Sequence, residues 1–208
     1  MNNSPEKNIR KKTLIREYVE AILVALVLAV FIRTFVVQAF KIPSGSMIPT
    51  LLIGDHILVS KFAYGIKNPF SGSVIVPVKN PERGDIVVFK YPLNSSQDFI
   101  KRVIALPGET VEIINKKVFI NGKPLLDDKG QFTDNIVLSE GPRDNFGPVT
   151  VPPEALFVMG DNRDNSHDSR FWRFVEYKDI RGKAFIMYWS WDREDFSVRW
   201  NRIGRTLE

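Results

Sequence analysis

The hydrophobic pattern of the chain changes near residue 40. Residues 21–32 (AILVALVLAVFI) form an uncharged apolar run, and after Arg33 the apolar character continues to Phe40. Beyond that point the chain consists of short runs bounded by Gly and Pro, and none keeps the 3.6-residue period of an amphipathic helix. These runs predict seven strands: HILVSKFAY (56–64), DIVVFKYP (85–92), FIKRVIAL (99–106), TVEII (110–114), KVFI (117–120), ALFVM (155–159) and KAFIMYWSW (183–191). The outer part of the chain is therefore predicted to be mostly antiparallel β-sheet.

Turn signals add a second feature to this β-domain. INKK (114–117) and the pair Asn121-Gly122 are typical of hairpin turns. The segment 121–150 is rich in Gly, Pro, Asp and Asn and has low hydrophobicity. We interpret it as a small inserted β-ribbon or cap.

The N-terminal apolar run has three interpretations. A buried soluble helix is one, but the run is apolar on every side. A cleaved signal peptide ending at Val37-Gln38-Ala39 is the second, although 39 residues is long for one. The third is a single transmembrane helix from about Arg16 to Arg33, with both arginines reaching the interfaces. We predict the third, with residues 1–17 as a cytoplasmic basic tail, 18–39 as the transmembrane anchor and 40–208 as the extracytoplasmic domain.

The composition and the charge distribution exclude several classes of function. The chain has no cysteine, which excludes a disulfide framework, a thiolate zinc site, an iron–sulfur cluster and a cysteine nucleophile. The net charge is +5, but residues 1–17 hold five basic and two acidic residues, so most of the excess lies in the tail. A basic tail before an apolar run indicates membrane topology, with the N-terminus in the cytoplasm. We therefore expect no nucleic-acid partner.

Two segments carry candidate nucleophile and base chemistry. FKIPSGSMIPTL (40–51) places Ser44 and Ser46 on either side of a glycine, although a polar turn is equally typical of such a segment. DFIKRVIALPGE (98–109) places Lys101 in the middle of a strand, among apolar neighbours. Burial there would lower the pKa of the amine, whereas a lysine at a sheet edge would simply reach solvent.

A third segment is a dense polar loop. MGDNRDNSHDSRFW (159–172) contains three aspartates and two arginines, with Ser166 and His167 among them. It is either a functional loop or a structural ion-pair cluster. A calcium loop is a further alternative, but the spacing does not fit the twelve-residue cation loop and no bidentate Glu ends it. Because neighbours in an extended loop point to opposite sides, His167 is expected to face away from a site that Ser166 faces.

Together with RGDIVVF (83–89), these three segments occur in an order that resembles the bacterial type I signal peptidases. The resemblance implies a membrane-bound serine endopeptidase that removes signal peptides from exported preproteins after small residues. It implies the following roles: nucleophile Ser46, general base Lys101, oxyanion donors Ser44 and the Ser46 N–H, lysine-orienting Ser166, and structural support from Asp168 and Arg170. It matches the substrate pocket to Phe40, Ile42, Met47, Leu51 and Ile100.

The resemblance also implies the partners, the cofactor requirement and the cellular location of the chain. The partners would be preproteins and membrane lipid, with neither metal nor organic cofactor required. The chain would lie in the bacterial cytoplasmic membrane as a single-pass protein, with its catalytic domain on the periplasmic side. One alternative of a different class remains: a membrane-anchored β-domain that binds exported proteins without cutting them. A pairing of Ser46 with Lys101 separates the two.

Overall fold

The computed structural model describes residues 6–67 and 74–207, which divide at Val37 into two compact units. The first unit contains helix α1 (Glu6–Phe31), followed by a π-helical turn (Ile32–Val36). Large apolar side chains from Leu14 to Ile32 are 49–68% exposed along these two elements. Among the described residues, no helix combines the length and the apolar character needed to cross a membrane.

The second unit is built mainly of strands. The described residues contain fourteen strands and, after α1, one short α-helix: β1 (Val37–Lys41), β2 (Asp55–Ser60), β3 (Gly65–Lys67), β4 (Val74–Pro77), β5 (Ile86–Tyr91), β6 (Asn94–Ala105), β7 (Thr110–Ile114), β8 (Lys117–Ile120), β9 (Lys123–Pro124), β10 (Phe146–Thr150), β11 (Ala155–Met159), α2 (Ser169–Trp172), β12 (Val175–Glu176), β13 (Ile180–Asp192) and β14 (Ser197–Val198). The main sheet has the order β1-β2-β13-β5-β6-β11-β12, with β14 beside β13. A smaller sheet has the order β10-β7-β8-β9, and β3 pairs with β4.

This architecture confirms the mostly antiparallel β-domain. Each of the seven predicted strands is present, as β2, β5, β6, β7, β8, β11 and β13. The strands that the pattern did not predict are short, or, like β1, continue an apolar run without a change of period. In the predicted ribbon, only β9 and β10 are strands, and they pair with β8 and β7. Between them, residues 125–145 form no strand in the described structure.

The core covers both faces of β6 near its end. Lys101 to Ala105 are all buried, because apolar clusters pack on both faces of the main sheet here, and β5 and β11 flank β6 within it. Lys101 is opposite Val87 of β5, and Arg102 is opposite both Ile86 of β5 and Met159 of β11. Two charged side chains thus lie in the middle of the apolar sheet, one on each face.

A buried ionic group connects the end of the chain to the start of the β-domain. The Asp55 carboxylate accepts hydrogen bonds from Arg202 Nη2 at 2.6 Å, Ser190 Oγ at 2.6 Å and the Leu52 backbone N–H at 2.7 Å. Arg202 also donates to the Thr50 carbonyl at 2.9 Å. Because both charges are buried, each depends on the other for compensation.

We expect Arg202→Ala to lower the free energy of unfolding by about 3–5 kcal/mol, since it leaves the Asp55 carboxylate buried without its cation. Arg193→Ala, at an exposed position in the same part of the chain, should change it by less than about 0.5 kcal/mol. Urea unfolding of the full-length protein in detergent measures both. Equal stabilities of the two variants would contradict the structural importance of this pair.

Candidate active site

A tight turn after β1 presents Ser46 at the surface of the domain. Met47 and Leu51 are fully buried and fix the turn to the core, and the Leu51 N–H donates to the Met47 carbonyl at 2.8 Å. The Ile48 N–H donates to the Gly45 carbonyl at 3.2 Å. Ser46 itself is partly exposed, so its hydroxyl is accessible on a rigid support.

Lys101 of β6 reaches this hydroxyl. Its Nζ lies 2.7 Å from Ser46 Oγ and 3.0 Å from the Ile100 carbonyl, and it stands 5.4 Å from the centre of the Phe99 ring. The residue is only 4% exposed. Burial lowers the pKa of the Lys101 amine to about 8, although the carboxylates of Asp168 and Asp161 oppose this shift.

The polar loop after β11, residues 160–170 (the site loop), packs against the Ser46 turn. The Asn162 backbone N–H donates to the Ser46 carbonyl at 3.1 Å, and Asn162 Nδ2 donates to the Gly45 carbonyl at 3.1 Å. At Gly160 a Cβ atom would overlap the Ser46 carbonyl oxygen and Ser166 Oγ. Only glycine therefore allows the loop and the turn to approach so closely.

A buried ion pair ties the site loop to β6. Arg102 donates from Nε and Nη2 to the two oxygens of Asp161, both at 2.8 Å. Thr50 Oγ1 donates to the same carboxylate at 2.6 Å, which connects it to the Ser46 turn. The fork-to-fork geometry fixes direction as well as distance.

The predicted supporting pair, Asp168 and Arg170, is formed and buried. Arg170 Nε and Nη2 donate to Asp168 at 2.8 and 2.9 Å, and Asp168 also accepts from the Gly160 N–H at 3.1 Å. Arg170 donates further to the carbonyls of Arg163 and Arg143, at 2.6 and 2.7 Å. The pair thus organises the site loop from inside.

Ser166 and His167 lie at different places. Ser166 is buried, but its Oγ has no hydrogen-bond partner among the described residues, so the bond expected to Lys101 is absent from this structure. His167 is exposed, its Nε2 lies 3.1 Å from the Tyr91 hydroxyl, and its ring packs on Phe171. As expected, within residues 6–67 and 74–207 its ring nitrogens form no hydrogen bond with Ser46 or Lys101.

The remaining predicted residues are the oxyanion donor Ser44 and the five pocket residues, which differ in exposure. Ser44 is exposed beside Ser46. Of the five predicted pocket residues, Phe40 and Ile100 are half-buried at the edge of the core. Ile42, Met47 and Leu51 are at most 2% exposed. An accessible pocket lined by these three does not fit their burial, because their side chains fill the core beneath the Ser46 turn.

Sequence reasoning missed the roles of Arg102, Asp161 and Asn162. The pair of Arg102 and Asp161 spans 59 positions and leaves no local pattern. A usable signal existed, because an arginine between apolar residues of a central strand requires a buried acid. No such signal marks Asn162, whose contacts are with backbone carbonyls.

The aspartates of the site loop are all used in ion pairs: Asp161 with Arg102, Asp164 with Lys116 and Asp168 with Arg170. In the part of the chain that the structure describes, no group of three or more His, Asp or Glu side chains could hold a metal ion. The loop is therefore both an ion-pair cluster and a part of the candidate site.

A β-domain that presents a serine hydroxyl to a buried amine of lowered pKa has the site of a serine-type hydrolase. Comparison with known proteins narrows this class. The signal peptidase family, peptidase S26, matches residues 15–189. The chain belongs to this family, which confirms the resemblance drawn from its motifs.

Two relatives named signal peptidase I agree with this family assignment. The signal peptidase I of Pseudomonas aeruginosa is 37% identical, over 95% of this chain and 81% of that protein. The signal peptidase I of Leptolyngbya laminosa is 40% identical, over 85% of this chain and 81% of that protein. A crystal structure of a signal peptidase I from Enterococcus faecalis is 36% identical and covers 51% of this chain and 97% of its own, with a TM-score of 0.42.

The buried amine predicts a pH-dependent stability effect. The pKa of Lys101 is about 8 in the folded chain against an ordinary value of 10.5, so at pH 7 the folded state carries the full cost of burying the ammonium. Lys101→Met should therefore raise the free energy of unfolding at pH 7 by roughly 1–3 kcal/mol. This gain should shrink as the pH rises from about 8 toward 10.5, where the amine is neutral in both states.

Urea unfolding at pH 7 and pH 10 measures this difference. Lys117→Met, at an exposed position, is the matched control and should stay within about 0.5 kcal/mol of the wild type at both values. A Lys101→Met protein that is less stable than the wild type at pH 7 would show that the amine is not buried at a cost.

Proposed function

We propose that the chain is a membrane-bound serine endopeptidase that removes N-terminal signal peptides from exported preproteins. The observation that carries the proposal is the 2.7 Å contact between Lys101 Nζ and Ser46 Oγ, made by a lysine that is 4% exposed. The relatives named signal peptidase I supply the substrate class. A domain that only binds preproteins would have no use for this pairing.

The chemistry starts from the neutral amine. With a pKa of about 8, roughly a tenth of Lys101 is neutral at pH 7, against less than about one part in a thousand for an ordinary lysine. The neutral Nζ accepts the proton of Ser46 Oγ, and the oxygen attacks the scissile carbonyl carbon. The ammonium then returns this proton to the leaving amine, so that an acyl-enzyme remains on Ser46.

Hydrolysis of the acyl-enzyme follows the same sequence of proton transfers, with water in place of Ser46 as the nucleophile. Lys101 accepts a proton from the attacking water, whose oxygen forms a bond to the acyl carbon. The ammonium then returns this proton to Ser46 Oγ as the ester C–O bond breaks, which releases the acid product and restores the serine. In both steps the negative oxygen of the tetrahedral intermediate needs donors, and we assign the Ser46 backbone N–H and the Ser44 hydroxyl to this role. Ser44 is exposed beside Ser46, where a substrate carbonyl can reach it.

Further residues are assigned supporting roles. Ser166, buried beside Gly160, would orient the Lys101 amine once the substrate is bound, and the pair of Asp168 and Arg170 would hold the site loop. Phe40 and Ile100 are assigned to the substrate pocket, because they are the accessible members of the apolar set beside Ser46. An apolar wall of this kind suits small side chains next to the scissile bond.

The membrane location is the second part of the proposal, and the N-terminal unit supports it. We propose that the exposed apolar side chains of residues 14–32 lie in lipid, with the basic N-terminal tail in the cytoplasm and the β-domain on the periplasmic side. Arg16 and Arg33 would then lie at the two interfaces. The support for this single-pass arrangement is the apolar surface and the charge of the tail.

Cleavage of a preprotein in detergent tests the proposed activity. Ser46→Ala and Lys101→Arg should both lose roughly 10²–10⁴-fold in kcat/KM, because arginine keeps the charge but cannot accept the proton. For the wild type, kcat/KM should rise with pH and level off above about 8. His167→Ala is the control and should keep more than about half of the activity, since His167 is exposed and its ring contacts Tyr91 and Phe171. An active Lys101→Arg enzyme would rule out Lys101 as the base.

Membrane attachment is tested separately, on full-length protein in its host membranes. The chain should stay in the membrane pellet after alkaline carbonate extraction, and protease added from the periplasmic side should reach the β-domain but not an N-terminal tag. Release of the chain by carbonate would contradict a spanning helix, whatever the outcome of the cleavage assay.

A further inference from the structure

One part of the inserted segment lies directly against the site loop. Residues 127–134, here called the docking segment, have no role in the chemistry described so far. The Gln131 N–H donates to the Asp161 carbonyl at 2.7 Å, and the Arg163 N–H donates to the Gln131 carbonyl at 2.8 Å. These two bonds pair Gln131 with Asn162 as in a parallel sheet.

Asn162, the site-loop residue that pairs with Gln131, also contacts the turn that carries Ser46. Asn162 donates from its backbone N–H to the Ser46 carbonyl and from Nδ2 to the Gly45 carbonyl, both at 3.1 Å. Asn162 is therefore held between the docking segment and Ser46. A chain of backbone contacts thus connects the docking segment to Ser46 through this residue.

An ion pair fixes this arrangement. Asp127 pairs with the guanidinium of Arg163, and the two side chains are 13% and 3% exposed. Arg163 Nε also donates to the Gly160 carbonyl at 3.1 Å. The face of Arg163 lies against Gly130, where a Cβ atom would come within 2.6 Å of the guanidinium carbon.

The same carboxylate also shapes the docking segment. Asp127 Oδ1 accepts from the backbone N–H groups of Gly130 and Lys129, at 3.1 and 3.2 Å. One side chain thus closes the turn that leads to Gln131 and neutralises the buried arginine of the site loop. A neutral isostere would keep the shape but lose the charge of this contact.

A second ion pair anchors the far end of the docking segment. Asp164 of the site loop accepts from the backbone N–H groups of Thr133 and Asp134, at 2.8 and 3.1 Å. Lys116 Nζ bridges the carboxylates of Asp134 and Asp164, at 2.8 Å to each. The docking segment is therefore held at both ends, with Gln131 between them.

We propose that the docking segment positions the nucleophile: Asp127, acting through Arg163 and Asn162, fixes the Ser46 turn at the distance from Lys101 that proton transfer requires. Asp127 is a positioning residue, since it contacts neither Ser46 nor Lys101. This inference rests on the proposed function, because it assigns the insert to the same site. It differs from a role in stability alone, which would lower the amount of folded enzyme without changing its turnover.

The first test is steady-state kinetics of Asp127→Asn in the full-length enzyme. We expect kcat to fall about tenfold with KM within about twofold of the wild type, because the substrate surface is untouched while the reacting atoms are misplaced. Asp127→Glu, which keeps the charge, should recover part of the loss. Asp128→Asn, at a side chain that is 83% exposed, is the matched control and should leave both constants unchanged.

A second pair of variants tests the backbone contact without altering a charge. Gln131→Pro removes the N–H that donates to the Asp161 carbonyl, whereas Gln131→Ala keeps it. We expect the proline variant to lose kcat as Asp127→Asn does, and the alanine variant to behave as the wild type. A proline variant with unchanged kcat would contradict the coupling through Gln131.

Hydrogen exchange separates this inference from the proposed function. In a Ser46→Ala background, which needs no activity, Asp127→Asn should speed exchange of the amides of residues 160–166 at least about tenfold, and Asp128→Asn should not. If Asp127→Asn speeds this exchange but the wild-type chain cleaves no preprotein, the coupling stands and the proposed function is removed. Unchanged exchange together with unchanged kcat would overturn the positioning role of Asp127.

Discussion

The site depends on the cost of burying one amine. Lys101 is useful as a base only while it is kept from water, and the apolar clusters packed on the two faces of the main sheet achieve this. Nearby carboxylates would restore the charge of the amine, as Asp161 and Asp168 tend to do. Each of these carboxylates is paired with its own buried arginine, Arg102 or Arg170, so that the acids needed for structure do not hold the lysine protonated. The two buried ion pairs and the lowered pKa are parts of one electrostatic arrangement.

The sequence was informative wherever local pattern determines structure. Alternation predicted the strands, and an apolar strand around Lys101 indicated a buried amine, because the side chains on either side of a strand residue decide its solvation. The pattern could not reveal contacts between distant segments. Asp55 and Arg202 are 147 positions apart, and Asp127 and Arg163 are 36 apart, so their pairing depends on the fold. The same limit explains the pocket: position in a motif does not show that Met47 and Leu51 point into the core.

The inserted segment makes structural contacts that its composition did not indicate. A stretch rich in Gly, Pro, Asp and Asn is typical of a solvated loop, and most of its side chains are indeed exposed. One of its acidic residues, Asp127, nevertheless pairs with the buried Arg163 of the site loop, and its backbone pairs with that loop at Gln131. Polarity here serves a specific internal contact, because a loop that carries buried arginines can only be covered by a segment that supplies carboxylates and carbonyls.

Gly160 sets the smallest distance between the site loop and the turn that carries Ser46. Since the loop and the Ser46 turn meet backbone to backbone at this position, no side chain sets the gap between them. Packing of side chains elsewhere can drift as a sequence changes, because one apolar group replaces another of similar volume. A contact between main chains has no such freedom, and its length is the same whichever residues surround it. The separation between the site loop and the turn that carries Ser46 is thus set at Gly160 by main-chain atoms, whereas the side chains of Met47 and Leu51 fix that turn to the core.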